Sequence, residues 1–86
     1  MKTYLVKDKI INIKTLETHV YYLGKDGYVH GEDAIEYCDG YTRPIYAQNY
    51  IERELRNGIV KKIDNNHAIE SDIWLHIYDI VEYVKA

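Results

Sequence analysis

Between Leu16 and Leu23 the chain alternates with period two. Leu16, Thr18, Val20 and Tyr22 fall on one side, Glu17, His19, Tyr21 and Leu23 on the other, which predicts a strand. Gly24-Lys25-Asp26-Gly27 reads as a turn, because glycine reaches positive φ at little steric cost. Tyr28, Val29 and His30 then return as the second arm of a hairpin. Upstream, residues 3–6 form a short β-prone run, Lys7-Asp8-Lys9 turns it, and Ile10, Ile11 and Ile13 resume the β signal with side chains suited to a pleated surface. Beyond Gly31, Asp33 caps a short helix over residues 34–38 that Gly40 ends. A third strand over residues 34–41 fits the same pattern, and the sequence does not choose between them.

The middle of the chain changes period. Ala47, Ile51 and Leu55 recur at a spacing of four, predicting a helix over residues 43–57 with Pro44, Ala47, Ile51 and Leu55 as its buried stripe. Pro44 is tolerated in the first turn, where its missing N–H costs nothing, and Gly58 suits the position just past the end. Residues 59–63 are a short branched run. Asp64-Asn65-Asn66-His67 supplies a tight turn, and residues 68–70 return. Ser71 is a good N-cap. After it, Ile73, Trp74, Ile77, Ile80, Val81 and Val84 lie three and four apart. That spacing predicts a C-terminal helix over residues 72–84 with Ile73, Ile77, Ile80 and Val84 in the core. The expectation is one α+β domain over residues 1–86: a small antiparallel sheet of three to five short strands packed against two or three helices.

Composition modifies this picture in three ways. The apolar fraction, 47% of 86 residues, suffices for one core, but it consists of twelve Ile, ten Tyr, one Trp and no Phe. A buried Tyr needs a partner for its hydroxyl, so many of these rings are expected at the surface, where they favour contact with a partner or with a second copy. Cys38 is the only cysteine, which excludes an internal disulfide. Residues 1–14 hold no long apolar run and no stretch reaches a membrane span, so the expected location is cytoplasmic. Residue types with AT-rich codons number 36 against 13 with GC-rich codons. In that style the chain resembles the small accessory proteins of phages and mobile elements.

The net charge of −3 is laid out in blocks: +3 over residues 1–16, −5 over 17–39, +3 over 40–62 and −4 over 63–86. The blocks either neutralise one another on packing or leave an acidic face assembled from the second and fourth. Nucleic acid is disfavoured as a partner. Arg43, Arg53, Arg56, Lys61 and Lys62 cluster, but Glu52 and Glu54 dilute them and the chain is acidic overall.

No constellation meets the standard of a catalytic site. His30-Gly31-Glu32-Asp33, with Asp26 or His19 nearby, has metal-binding residue types but no ligand spacing, and reads as a polar turn. Cys38 lacks an identifiable base and oxyanion site. Glycines are not arranged to cradle phosphate. No cofactor and no metal are expected. Two stripes remain as partner-binding surfaces. On the middle helix, Tyr46, Tyr50 and Arg53 are of the types enriched at hot spots. On the C-terminal helix, Asp72, His76, Asp79 and Glu82 would present acids to a basic partner. The expectation is a non-enzymatic protein-binding module of phage or mobile-element type that inhibits a host or defence protein by steric, anti-CRISPR-like blockade. A homodimer is also envisaged. The alternative is an oligomeric binder of a nucleotide-like ligand held by Tyr and Arg.

Overall fold

A computed structural model describes residues 1–85. The elements in chain order are strands β1 (Lys2–Asn12), β2 (Thr18–Gly24) and β3 (Gly27–His30), a 3-10 helix (Glu32–Tyr37), helix α1 (Pro44–Arg56), and strands β4 (Lys61–Lys62), β5 (His67–Glu70) and β6 (Trp74–Val84). All six strands join one antiparallel sheet in the order β3-β2-β1-β6-β5-β4.

This corrects the expected fold. The sheet dominates. It has six strands rather than three to five, two of them eleven residues long, and one α-helix with a six-residue 3-10 helix replaces two or three helices. The main departure is the C-terminus, where a strand stands in place of the helix. Both faces of β6 carry apolar residues: Trp74, Tyr78 and Ile80 on one, Leu75, Ile77 and Val81 on the other. Two overlaid period-two sets imitate spacings of three and four. The β-branched and aromatic content of the segment was the better guide. Ser71 and Asp72 are not a cap. Both adopt positive φ, 53° and 61°, and the Ile73 N–H donates to the Glu70 carbonyl, closing a primed hairpin turn. Of the four residues expected in the core, Ile73 and Ile77 are half-buried, Ile80 is partly exposed and Val84 is exposed.

A second correction lies in β1. Lys7, Asp8 and Lys9 continue the strand instead of turning it. Asp8 is met by His76 at 3.1 Å, Lys7 comes within 4.0 Å of Glu32, and Lys9 stays exposed to solvent. The β2–β3 hairpin and α1 form where expected. Gly24 is required for close approach, because the Asp39 carbonyl occupies the place of a Cβ and accepts the Lys25 N–H. On α1, Pro44 opens the helix but stays exposed, while Ala47, Ile51 and Leu55 are buried. Gly58, at φ 84°, takes the left-handed position beyond its end. Residues 34–37 are helical, and Gly31 stands at the N-cap with no side-chain cap from Asp33.

The core is split by the sheet. On one face, α1 packs Ala47, Ile51 and Leu55 over Val6, Ala68 and Tyr78. On the other, the segment around the 3-10 helix covers Leu5, Val20 and Tyr22 with Ile35 and Cys38. Leu5 and Val6, adjacent on β1 and fully buried, anchor the two sides. Ile51→Ala is expected to cost about 3 kcal/mol, and Val84→Ala less than about 0.5 kcal/mol. Urea unfolding of the two variants checks these values, since a helical C-terminus with Val84 in its core would raise the Val84→Ala cost above about 1 kcal/mol.

Candidate functional site

Helix α1 covers only part of its face. Register identifies the side chains left beside it: Asp8 lies opposite Tyr21 and Ile10 opposite His19 on β2. Ile10 also faces His76, and Asn12 faces Trp74, on β6. Glu70 lies opposite Trp74, and Tyr21 opposite His30 on β3. Alternation sends all of these to the α1 side. Six of them, Ile10, His19, Tyr21, Glu70, Trp74 and His76, line a cleft of about 270 Å³. A neighbouring depression of about 300 Å³ shares Ile10 and Tyr21 with it and runs to Tyr50 of α1.

At the floor sits His76, 6% exposed. Its Nδ1 lies 3.1 Å from both oxygens of Asp8, and its Nε2 lies 2.9 Å from Glu70 Oε1. Both ring nitrogens face acceptors, which only the imidazolium can satisfy by donating twice. Burial pushes the His76 pKa down, but the hydrogen bonds and charges of Asp8 and then Glu70 outweigh it and hold the pKa above its ordinary value. One cation between two carboxylates leaves the floor net negative. The side chain of Glu70 is the most open of the three. With both nitrogens engaged, His76 has no lone pair free to take a proton, and the only thiol, Cys38, is buried on the opposite face.

The walls are aromatic. His19 stands 6.1 Å from Trp74 and 5.4 Å from His30, and Tyr21 stacks on His30 at 4.5 Å. The Nδ1 of His19 approaches Nε2 of His30 at 3.3 Å. Among the described residues, no three His, Cys, Asp or Glu side chains are grouped to hold a metal.

The residues expected to form an acidic helical stripe are dispersed, because a strand has period two. His76 lies on the cleft floor. Glu82 shares its face but sits at the far end of β6, paired with Lys2 at 2.7 Å. Asp79 points to the opposite face, and Asp72 lies in the hairpin turn. The helical stripe does form. Tyr46 is exposed, and Arg53 sits 5.5 Å from the Tyr50 ring. The Tyr50 hydroxyl donates to Glu54 at 2.7 Å, and burial followed by Glu54 raises its pKa. Sequence reasoning missed Asp8, Ile10, Tyr21, Glu70 and Trp74 as one site. The signal was their even spacing on strands, hidden where residues 7–9 were read as a turn.

No family model, curated protein or solved structure matches the chain.

Because the pKa of His76 is raised in the folded state, its charged network contributes fully below the unfolded value of about 6.5. That contribution is lost as pH rises through the folded pKa. Thermal melts of the native chain are expected to fall in Tm across that window, and His76→Gln to flatten the dependence. The imidazole proton shifts in NMR locate the titration.

Proposed function

We propose that the chain is a small non-enzymatic protein-binding module, and that its aromatic–acidic cleft receives a Lys or Arg side chain of a larger partner protein. One observation carries the reading: the rings of Trp74 and Tyr21 line a cleft with Glu70 and with a buried imidazolium whose second carboxylate, Asp8, lines the adjoining depression, so two carboxylates outnumber one cation. Aromatic faces and carboxylates both attract cations, and a guanidinium can stack on the former while donating to the latter. The engagement of both His76 nitrogens further favours binding over proton-transfer chemistry. The setting, a phage- or mobile-element-type inhibitor that blocks a host or defence protein sterically, is carried by composition alone. A small ligand in the same cleft would have to be cationic, since an anionic nucleotide would face Glu70.

Trp74 is the only tryptophan, so its fluorescence reports the cleft directly. Titration with an arginine-rich peptide is expected to shift the emission with a salt-sensitive affinity. Glu70→Gln should weaken that affinity about 10-fold, the loss of one charge-assisted hydrogen bond. Adenosine triphosphate should leave the emission unchanged. A response to the nucleotide and none to the peptide would replace this reading with the ligand-binding one.

A further inference from the structure

Beside the cleft stands a pair of histidines, His19 and His30, whose facing nitrogens take no part in the contact proposed above. Tyr21 lies opposite His30 across the β2–β3 hairpin, so His19, two residues before Tyr21, is the diagonal neighbour of His30 on the same face. The Gly31 N–H donates to the Val20 carbonyl at 2.8 Å, which carries the pairing past His30 and fixes the backbone between the two residues. Each ring is also held from the side. Tyr21 stacks on His30 at 4.5 Å with an 18° tilt, and Trp74 flanks His19 at 6.1 Å. The imidazoles turn Nδ1 of His19 and Nε2 of His30 toward each other, 3.3 Å apart. The other nitrogen of His19, Nε2, faces Glu17 Oε1 at 3.5 Å.

We propose that His19 and His30 together bind a divalent transition-metal ion, of the Zn²⁺, Cu²⁺ or Ni²⁺ class, through Nδ1 of His19 and Nε2 of His30. Imidazole suits these ions, whereas Mg²⁺ and Ca²⁺ take oxygen ligands. The spacing is what such an ion requires. An ion about 2.05 Å from each of two nitrogens at a tetrahedral angle sets those nitrogens about 3.3 Å apart, and they already stand at 3.3 Å. A rotation of the ring planes, which are tilted by 41°, aims both lone pairs at one point. Glu17 supplies a second element of the site. A ligating imidazole commonly donates its remaining N–H to a carboxylate, which fixes the tautomer. With the His19 proton on Nε2 toward Glu17, its Nδ1 is bare. His30 then holds the proton of the Nε2···Nδ1 contact, and moves it to Nδ1 of its exposed ring when the metal takes its place. The pair neither gains nor loses a proton in that exchange. Among the described residues no third His, Cys, Asp or Glu side chain completes the set, so water fills the remaining positions and the site is an open one. His76 does not compete, since Asp8 and Glu70 engage both its nitrogens.

Calorimetric titration of the untagged chain with Zn²⁺ in a non-coordinating buffer is expected to show saturable binding. Cu²⁺ should quench Trp74, the only tryptophan, in the same saturable way, because His19 stands 6.1 Å from its ring. Copper held by the N-terminal amine would not reach it, since Lys2 pairs with Val84 at the opposite end of β6. His30→Gln removes one ligand from an exposed position and should keep the circular dichroism of the native chain. It should weaken Zn²⁺ binding and copper quenching by more than about 10-fold, because loss of a group that merely orients a ligand already costs that much. His67→Gln, which alters the pair with Asp64 on β5, should leave both unchanged. A native chain that takes up no Zn²⁺ overturns the proposal, as does a folded His30→Gln variant that binds it as tightly as the native chain. If His30→Gln unfolds, the imidazole proton shifts of the native chain decide: Zn²⁺ that moves those of His67 and not those of His19 and His30 overturns it equally.

Discussion

The rest of the structure depends on the antiparallel ladder between β1 and β6, which joins the two ends of the chain along eleven-residue strands at the centre of the sheet. Leu5 and Val6 leave this ladder on opposite sides and nucleate the two halves of the core. Tyr78 enters from the other strand. Closing a loop of nearly the whole chain costs entropy that grows only slowly with length, but none of it is recovered until both ends are in place. Folding is therefore expected to be cooperative and governed by non-local contacts. Neither hairpin on its own would bury enough surface to persist.

The same ladder organises the charges. The basic first segment becomes β1 and lies between the acidic second segment, beginning with β2, and the acidic fourth, which ends in β6. Lys2 meets Glu82, Lys7 meets Glu32, and Asp8 meets His76. Lys2 with Glu82 joins the first block to the fourth, and Lys7 with Glu32 joins it to the second. Negative charge with a structural consequence is concentrated at Asp8 and Glu70 around one imidazolium. Exposed pairs such as Lys2 with Glu82 contribute little to stability. The buried contact of His76 with Asp8 is different, since either group alone would be stranded in a poorly solvated place.

Strand β6 serves three purposes along its length. Its first residues, Trp74 and His76, build the cleft, Tyr78 fills the core under α1, and residues 80–84 continue the ladder with β1. Tyr50 of α1 lines the depression beside the cleft, with Arg53 5.5 Å from its ring. Of the helical stripe read from the sequence, Tyr50 thus reaches the margin of the site rather than its centre.

By itself the sequence determined what local chemistry decides. The β2–β3 hairpin follows from alternation and its glycines, α1 from a spacing of four between a proline and a glycine, and the turn before His67 from its Asp and Asn residues. These signals act over a few residues and need no partner to be read. The tertiary structure decided whatever depends on a distant neighbour. Lys7-Asp8-Lys9 is strand because β2 and β6 pair with it on both sides and His76 answers the Asp8 charge from elsewhere in the fold. The C-terminal segment is strand because β1 and β5 supply its hydrogen bonds and because apolar material covers parts of both its faces, which erases the alternation a one-sided strand would show. The cleft was hidden for the same reason. Its residues come from four strands, and only strand order and register bring Asp8, Tyr21, Glu70, Trp74 and His76 to one face.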